Sequence, residues 1–487
     1  MRAEVKENTT LVWFRRDLRL RDHEALIAAA ARGRVVPVYI GSPDEEGAAN
    51  PGAAARWWLH ESLVSLEQSL RSRGLRLIFR SGPVLPALEA LVEETGANGL
   101  VWQRVYEPEA IERDRRVKDH FRERLPFVAS YPGYCLIEPG NVMNQSGRPF
   151  KVFTAFRKRC LLEKGPEEPK PVPSSLSGPR TWPSSENLSD WKLRPQIPWT
   201  KGMAAYWRPG ESGAEARLQS FVTNSLGDYL EQRNRPDISG TSRLSPYLHF
   251  GELSIRQVWS AIERAAEGAG IARPVWLGWQ FVAELYWREF AAYLLYHFPA
   301  TVREPLRPEF CHFPWDGTAD QLDAWQQGLT GYPIVDAGMR ELWHHGWMHN
   351  RVRMIVASFL IKHLLIPWQD GAAWFWDTLV DADLASNTLG WQWTAGCGAD
   401  AAPYFRIFNP ITQGEKFDPK GGYVRHWVPE LAGLPDRYLH QPWTAGRKVM
   451  MSAGVELGVD YPHPIVDHPE ARQRALAAYA EMRERAS

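Results

Sequence analysis

The sequence predicts two unlike domains, an α/β domain built on a parallel sheet and, after a linker, an all-helical domain. Three features of the 487 residues support this prediction. Early in the chain, short apolar runs typical of buried strands alternate with amphipathic stretches of helical spacing. Pro, Gly and Ser then crowd residues 164–198. From Ser212 onward only helical spacing of apolar residues remains, which predicts a domain without a sheet.

The α/β domain is predicted to begin with a β-α-β unit, because residues 11–14 and 35–40 have the pattern of buried strands and 22–31 that of a helix. Further strands are predicted at 75–79 and 99–102, and amphipathic helices at 53–73 and 84–94. This alternation is typical of a doubly wound, Rossmann-like parallel sheet. Residues 15–18, Arg-Arg-Asp-Leu, follow the first strand where a dinucleotide-binding protein has GxGxxG, so that fingerprint is absent.

The helical domain is predicted from Trp-rich segments whose apolar residues recur at helical spacing. These segments and the last predicted helix cover residues 274–298, 321–327, 333–365, 372–384 and 469–486. We therefore divide the chain into an α/β domain at 8–135, an interdomain linker at 136–205 and an all-α domain at 206–487.

Composition limits the functions open to the chain. Lys plus Arg and Asp plus Glu number 57 each, so no global positive field attracts nucleic acid, and any DNA contact requires a local basic face. The four cysteines form no CxxC pair, which argues against a disulfide scaffold and a zinc site. No metal is expected, and a reducing compartment suits these thiols.

The sequence predicts no membrane segment. The first ten residues lack the apolar core of a signal peptide. The most apolar later stretch, 354–368, is interrupted by Lys362 and His363 and is too short to span a bilayer. We expect a soluble, cytoplasmic and monomeric protein that needs no obligate protein partner.

Residues 381–410 are the most informative segment of the chain. They combine the carboxylates of Asp381 and Asp383, the amide of Asn387 and the rings of Trp391 and Trp393 with a Gly- and Ala-rich stretch and a closing aromatic-Arg-aromatic run. A single such ring is more typical of a core than of a cofactor site. The chain nevertheless holds 23 Trp, which suggests stacking surfaces or redox relays as well as an aromatic core. The mixture predicts a large planar ligand close to the backbone.

This segment resembles the photolyase/cryptochrome flavoproteins, and four other segments resemble the same family. They are WFRRDLRLRDH at 13–23, GTSRLSPYL at 240–248, FVAELYWREF at 281–290 and WMHNRVRM at 347–354. The motifs occur in the family's order over nearly the whole chain. The resemblance therefore implies an α/β antenna domain, a linker and an all-helical domain that binds FAD.

The resemblance also implies which residues hold FAD, whose reduced form is the active one. They are Tyr229, Thr241, Ser242, Arg243, Leu244, Ser245, Arg288, Asn350, Arg353, Asp381, Asp383 and Asn387. The hydroxyls and backbone N–H groups of 241–245, at a helix start, suit a pyrophosphate. Asn387 is expected beside flavin N5, because a neutral amide can accept a hydrogen bond from a protonated N5. Trp391, Trp368 and Trp315 match the family's relay of indoles from flavin to surface.

A second set of residues is implied to form the pocket for damaged bases. It comprises Glu284, Trp287, Asn350, Met354 and Trp393. Helical spacing supports the set, since 284, 287 and 288 share one helix face, as do 350, 353 and 354. The Trp rings would stack on an extruded dimer, and Glu284 would hydrogen-bond a thymine carbonyl. Phe281 departs from the pattern, because relatives often have Trp at that position.

Basic side chains near this pocket are implied to meet the phosphates that flank the lesion. Arg351 and Arg406 are the main candidates, with Arg233 and Lys416 as further ones. The implied partner is UV-damaged DNA, and the preference for single or double strands stays open.

The implied function is light-driven repair of cyclobutane pyrimidine dimers, in which excited reduced FAD lends an electron to the dimer. A 6-4 photolyase is disfavoured, because its pocket relies on histidines where this chain has Asn350 and Met354. A cryptochrome photoreceptor is disfavoured by Asn387, by Trp287 and by the lack of a long C-terminal extension. A generic flavin oxidoreductase lacks support, since no nicotinamide fingerprint occurs.

An antenna chromophore is the remaining cofactor expected from the resemblance. Glu107 and Glu109, in the segment WQRVYEPE, match positions where relatives contact a folate. A deazaflavin, flavin mononucleotide or an empty cleft are alternatives that the residues leave open.

Overall fold

The structure, a computed structural model, describes residues 8–401 and 405–486. Residues 402–404, part of the segment 381–410, lie outside the described residues, as do 1–7, most of the stretch inspected for a signal peptide, and Ser487. In the described part a parallel-sheet domain precedes a helical one, so the predicted fold is confirmed. No helix of that part combines the length and apolarity needed to cross a membrane.

The sheet of the first domain has five parallel strands. They are β1 Thr9–Phe14, β2 Arg34–Gly41, β3 Ile78–Ser81, β4 Gly99–Gln103 and β5 Phe127–Tyr131, in the spatial order β3-β2-β1-β4-β5. All of β1 is buried, as expected for a strand covered on both faces. Val12 pairs with Pro37 on one side and Val101 on the other. The strands' carboxyl ends therefore meet at one edge of the sheet.

Two strands differ from the prediction. β5 was not predicted, because at the sheet edge all five of its residues are only half-buried and no strongly apolar run marks it. The strand predicted at 75–79 lies at Ile78–Ser81, because pairing with β2 begins at Val38 and Ile78. Leu75 and Leu77 are buried in the core before that strand starts.

Helices cover the sheet and extend into the predicted linker. In the α/β domain they are Glu24–Arg32, Pro43–Glu46, Ala53–Arg71, Val84–Thr95 and Pro108–Arg122. A further helix, Phe153–Cys160, lies in the predicted linker 136–205 and buries Phe153 and Phe156. The predicted linker therefore contains a regular helix, which packs against the helical domain through Phe153 and Phe156.

Among its described residues, the second domain consists of helices joined by loops, with one isolated β-bridge between Leu457 and Tyr461. Its α-helices are Lys201–Tyr206, Glu211–Asn224, Tyr229–Gln232, Ser245–His249, Ile255–Gly268, Arg273–Trp276, Gln280–His297, Ala319–Gln327, Pro333–His345, Asn350–Ser358, Trp368–Thr378, Leu384–Ala395, Pro410–Phe417, Gly422–Trp427, Asp436–Leu439, Arg447–Ala453 and His468–Ala486. A π-helix, Phe359–His363, extends Asn350–Ser358. The domain limits at 8–135, 136–205 and 206–487 stay a prediction.

Two predicted helices are broken, and their breaks meet. The segment predicted at 333–365 is interrupted after His345, where Gly346 adopts a left-handed conformation (φ 63°). The segment predicted at 372–384 ends at Thr378, and a new helix begins at Leu384. The N–H of Val380 donates to the carbonyl of Gly346 at 2.7 Å, so the two breaks lie side by side.

The two domains meet through buried polar groups. Glu252 accepts hydrogen bonds from the indole N–H of Trp58 at 3.2 Å and from the N–H of Gly210 at 2.6 Å. Burial raises the pKa of Glu252 to about 8, against the effect of these donors. Asp22 of the first domain forms an ion pair with Arg256 of the second at 2.8 Å.

Candidate functional site

A cavity of about 170 Å³ lies between the two broken helical segments, and we call it the helical cavity. Six of the residues predicted to bind cofactor or lesion line it, together with Trp391 of the predicted relay; the six are Asn350, Arg353, Met354, Asp381, Asp383 and Asn387. Helix Asn350–Ser358 supplies three of them from one face, as the spacing predicts. The others come from the break at 379–383 and from helix Leu384–Ala395.

Asp381 is fixed in the cavity wall by an arginine. Arg353 donates to both of its carboxylate oxygens, at 3.0 and 2.8 Å, and also to the carbonyl of Met348 at 2.8 Å. Asp381 is buried, and Arg353 is partly exposed. Such a charge-assisted pair holds the segment after Thr378 against the start of helix Asn350–Ser358.

Asp383 is held from three directions. It accepts from the hydroxyl of Tyr134 at 2.5 Å and the N–H of Ser386 at 2.8 Å, and Nδ1 of His249 lies 3.5 Å away. Burial opposes its ionisation, but the hydrogen bonds from His249 and Tyr134 and the charge of Arg288 hold the pKa of Asp383 well below its usual value. Tyr134 was not predicted, because nothing in its local sequence points to a residue so far along the chain.

Asn387 faces the helical cavity with a defined amide orientation. Its Nδ2 donates to the carbonyl of Ala372 at 3.1 Å, which fixes the amide because a carbonyl can only accept. The carbonyl oxygen of the amide is then the group left to accept a hydrogen bond. The predicted contact with flavin N5 requires such an acceptor and stays a prediction.

Trp391 borders the cavity and packs into an aromatic cluster. Its ring contacts Phe375 at 5.0 Å and Trp325 at 6.3 Å between centroids, both edge-on. A Cβ added at Gly371 would lie 2.1 Å from the Trp391 ring, so only glycine fits there. Trp368 belongs to the same core, and Trp315 packs against it half-buried. Trp325, fully buried, is a neighbour that the sequence reasoning missed.

The predicted phosphate segment, Thr241 to Ser245, forms a turn beside a cluster of arginines. Ser245 begins helix Ser245–His249, as the prediction requires, although the helix is only five residues long. Arg243 adopts a left-handed conformation (φ 53°), and its guanidinium lies over the rings of Tyr206 at 5.1 Å and Trp347 at 5.3 Å. Its Nε is buried and has no hydrogen-bond partner in the structure.

His349 lies close to Arg243, and its hydrogen bonds help to decide whether an anion can bind there. Its Nδ1 accepts from the N–H of Arg351 at 3.2 Å, while its Nε2 is buried without a partner. Burial and the charges of Arg243, Arg351, Arg353 and Arg233 lower the pKa of His349 to about 3, so the ring is neutral. The charge of Arg243 and the two unpartnered donors, Nε of Arg243 and Nε2 of His349, suit a pyrophosphate, so these residues fit FAD.

Arg288 and Tyr229, like residues 241–245 of the predicted phosphate segment, do not line the helical cavity. Arg288 donates to the carbonyl of Tyr134 at 2.9 Å, and its guanidinium lies 4.2 Å from the Tyr134 ring centre. Tyr229 is buried, and its ring packs edge-on against Phe281 at 5.1 Å. Phe281 therefore serves the aromatic packing around Tyr229.

Two residues predicted to contact the lesion lie on helix Gln280–His297. The ring of Trp287 stacks on Phe153 with a centroid distance of 3.7 Å and an angle of 7°. Phe153 was missed, because it lies in the predicted linker. Glu284 forms an ion pair with Arg233 at 2.9 Å and accepts from Gln280 at 2.8 Å. The charge of Arg233 is thereby offset by Glu284.

The remaining basic candidates lie on two nearby surfaces. Arg351 lies over the ring of Phe417 at 4.5 Å, and Lys416 lies over the same ring at 5.3 Å. Arg351 also donates to the side chain of Asn234 at 2.8 Å. Arg406 is exposed, and it lines a small cavity together with Trp393.

A larger cavity of about 510 Å³ lies at the carboxyl ends of the strands, and we call it the sheet-edge cavity. Glu107 lines it and forms an ion pair with Arg16. Glu109 packs against Gly47 and is not among the lining residues. The aromatic lining comes from Trp13, Tyr39, Trp191, Phe250 and Trp376. Trp191 and Trp376 were missed, because they come from the linker and from the helical domain.

The two cavities share part of a wall. Ala382 lines both of them. His249 lines the sheet-edge cavity, and its partner Asp383 lines the helical cavity. The hydrogen bond between His249 and Asp383 therefore links the walls of the two cavities.

Comparisons with known proteins agree with this geometry. Residues 281–481 match the family model of the FAD binding domain of DNA photolyase, and 10–174 match that of DNA photolyase. The chain is 49% identical to a deoxyribodipyrimidine photo-lyase of Agrobacterium fabrum over 98% of both chains. It is 40% identical to Cryptochrome-2 of Arabidopsis thaliana, covering 98% of this chain and 80% of that one. The crystal structure of a bacterial class III photolyase from Agrobacterium tumefaciens matches with a TM-score of 0.95 and 48% identity over 99% of each chain.

Proposed function

Because this chain belongs to the photolyase/cryptochrome family and carries its FAD-binding domain, we propose that it is a deoxyribodipyrimidine photo-lyase, which uses light to split cyclobutane pyrimidine dimers in UV-damaged DNA. One observation carries this choice among the family's functions. Asn350 and Met354 line the same cavity as Asn387, whereas His349 caps their helix. A dimer would meet an amide and a thioether there, and not the histidines of a 6-4 photolyase.

The helical cavity would hold the flavin of FAD. When bound and excited in its reduced form, FAD supplies the electron that opens the dimer. The carbonyl oxygen of Asn387 would accept a hydrogen bond from the flavin, and the pair of Arg353 with Asp381 would fix the cavity wall. Arg243 and His349, each of which holds a buried nitrogen without a partner, would meet the pyrophosphate.

The lesion would bind between aromatic and acidic side chains. Trp287 and Trp393 would stack on the extruded bases, and Met354 would fill the remaining space. Extrusion of a damaged pair costs only about a few kcal/mol, as is known for photolyases and other base-flipping enzymes. Glu284, which forms an ion pair with Arg233, would accept a hydrogen bond from a thymine N3–H. This refines the predicted bond to a thymine carbonyl.

The basic side chains beside this pocket would bind the DNA backbone. Arg351 and Lys416 flank Phe417, and Arg406 is exposed near Trp393. Their contribution would be independent of sequence and would weaken with salt.

The sheet-edge cavity would hold an antenna chromophore. Its lining combines aromatic rings with arginines and carboxylates, which suits a flat molecule with polar groups at its edge; the charged lining residues are Arg15, Arg16, Arg56, Arg113, Glu46, Glu107 and Asp190. A folate fits this chemistry, and deazaflavin or flavin mononucleotide remain the alternatives. Glu107 would contact the chromophore, and Glu109 would act only by packing on Gly47.

Three oligonucleotides of identical sequence test the proposed lesion class. One contains a cyclobutane dimer, one a 6-4 photoproduct and one no damage. We expect the dissociation constant for the cyclobutane dimer to be lower than for the other two by at least about tenfold, from stacking worth about 1–3 kcal/mol per base. Preference for the 6-4 photoproduct would contradict the assignment.

A cryptochrome photoreceptor is the second candidate, supported by the 40% identity with Cryptochrome-2. A photoreceptor without repair activity would bind the three oligonucleotides equally. Equal binding, together with light-dependent changes in the flavin spectrum, would favour that candidate.

A further inference from the structure

Lys362 is a buried cation beside the proposed DNA-binding face. It lies in the π-helix Phe359–His363 and is only 1% exposed. Its Nζ donates to the carbonyl oxygen of Arg406 at 3.3 Å and lies 3.3 Å from the ring centre of Phe405. A lysine is almost never buried without a partner, and here both partners belong to one short segment.

The same helical stretch holds this segment at a second point. The N–H of Phe408 donates to Oγ of Ser358 at 3.3 Å. Ser358, Lys362, Trp393, Arg406 and Phe408 together line a small cavity of about 20 Å³. The segment 405–408 therefore lies between Trp393, a proposed wall of the lesion pocket, and the stretch that carries Lys362.

We propose that Lys362 is a positioning residue that fixes segment 405–408, so that Arg406 meets a phosphate of the bound DNA. The inference rests on the proposed function, since it assigns a purpose to Lys362 within DNA binding. Lys362 touches neither DNA nor cofactor in this account. It acts through the backbone of Arg406, whose side chain is exposed to solvent.

The strength of this anchor depends on the charge of Lys362. Burial lowers the pKa of Lys362 to about 7, with Cys397 opposing the shift. The charged and titratable groups around it are Cys397, the side chain of Arg406 and, on its own helix, His363. A protonated amine binds a carbonyl and an aromatic ring more strongly than a neutral one. The anchor should therefore weaken as pH rises through about 7.

The variant Lys362→Met tests the proposal, because methionine keeps most of the buried side-chain volume and removes the charge. Lys448→Met is the matched control, since Lys448 is exposed on helix Arg447–Ala453. Dissociation constants for dimer-containing and intact DNA are measured across salt concentrations, with the flavin absorbance of each holoprotein recorded alongside.

For Lys362→Met we expect both dissociation constants to rise roughly three- to tenfold and the salt slope to fall by about one, as for a lost phosphate contact. The flavin spectrum should stay unchanged, and Lys448→Met should resemble the wild type. In an Arg406→Ala background, Lys362→Met should change the affinity by less than about twofold, because both changes remove the same contact.

The pH profile separates positioning from general packing. Between about pH 6 and pH 8.5, the DNA affinity of the wild type should fall more than that of Lys362→Met, because only the wild type has the titrating amine. If Lys362→Met did not fold, two measurements would replace it. Ser358→Ala removes the second contact to segment 405–408, and its DNA affinity would be measured. The pH profile of DNA binding would also be compared between the wild type and Arg406→Ala. In that case an equal fall in wild type and Arg406→Ala would overturn the proposal.

Failure of this inference is distinguishable from failure of the proposed function. If the wild type prefers dimers while Lys362→Met keeps its affinity, salt slope and pH profile, Lys362 is structural and only this inference is overturned. If the wild type shows no preference for dimers, the proposed function fails. Fully additive effects of Lys362→Met and Arg406→Ala would also overturn the inference.

Discussion

At the scale of single residues, the helical cavity is defined by which hydrogen-bonding groups are already used. Asp381 and Asp383 have their oxygens occupied by Arg353, Tyr134 and Ser386. Asn387 donates from its amide nitrogen to the carbonyl of Ala372, and its amide oxygen can accept a hydrogen bond from a ligand. The cavity thus offers a neutral acceptor next to two anchored carboxylates, which suits a cofactor that carries N–H groups.

Asn387→Asp should weaken the binding of reduced FAD. A third carboxylate would enter a wall that already holds two, and repulsion between like charges would disfavour an anionic cofactor. We expect a loss of roughly tenfold in affinity, equivalent to about 1.4 kcal/mol, with little change in dimer binding. Titration with reduced flavin measures the effect, and Asn387→Ser is the uncharged control. Equal affinities for Asn387→Asp and wild type would contradict the proposed place of Asn387.

Trp287→Ala should weaken the binding of damaged DNA and leave the binding of intact DNA unchanged. Loss of stacking on the dimer predicts a rise of roughly ten- to a hundredfold in the dissociation constant for dimer-containing DNA, from about 1–3 kcal/mol. Intact DNA should bind as before, since its affinity depends on basic side chains. Trp343→Ala is the control, because Trp343 is a surface indole, 45% exposed, that stacks on Trp199. Equal losses for both DNAs would assign Trp287 to packing against Phe153.

At the scale of elements, the helical cavity forms where two predicted helices are interrupted, and the sequence pattern does not show these interruptions. The periodicity of 333–365 and 372–384 is continuous, yet Gly346 ends one helix and Asp383 caps the start of another. Spacing alone correctly placed Asn350, Arg353 and Met354 on one face. It could not show that Val380 binds Gly346, because that contact depends on how the helices pack.

Tyr134→Phe tests the link between the end of the α/β domain and the wall of the helical cavity. The variant removes one donor to Asp383, and a hydrogen bond to a charged group contributes about 1.5–3 kcal/mol. We expect a lower midpoint of thermal unfolding and weaker retention of FAD. Tyr131→Phe is the control, since Tyr131 is a half-buried residue at the sheet edge. Unchanged FAD retention would mean that Ser386 and His249 suffice to hold Asp383.

At the scale of the whole molecule, the two domains meet beside the sheet-edge cavity and the helical cavity. His249 and Ala382 lie between the sheet-edge cavity and the helical cavity, and Trp376 of the helical domain lines the former. The sequence predicted the domain classes and their order, because strand and helix periodicities are local. It missed Tyr134, Phe153 and Trp191, since each acts across a domain boundary that no local pattern records.

Glu252→Gln tests the domain interface through pH. The pKa of Glu252 is raised to about 8 by burial, so the folded protein keeps a proton that the unfolded chain releases near the usual carboxyl value. This stabilisation is complete at low pH and is lost as pH rises through about 8. Wild type should therefore lose on the order of 1–2 kcal/mol more than Glu252→Gln between about pH 6 and pH 8. Denaturant unfolding at several pH values measures the difference, and parallel profiles would contradict the raised pKa.

Light-driven repair of a dimer tests directly whether this protein is a photo-lyase. The holoprotein with chemically reduced FAD is mixed with an oligonucleotide that contains one cyclobutane thymine dimer and is exposed to blue light. Recovery of thymine absorbance and loss of the dimer are followed, with a dark sample and a 6-4 photoproduct as controls. Repair of the cyclobutane dimer in the light alone is the predicted result. No repair by a protein that retains reduced FAD and binds the dimer would contradict the assignment as a photo-lyase.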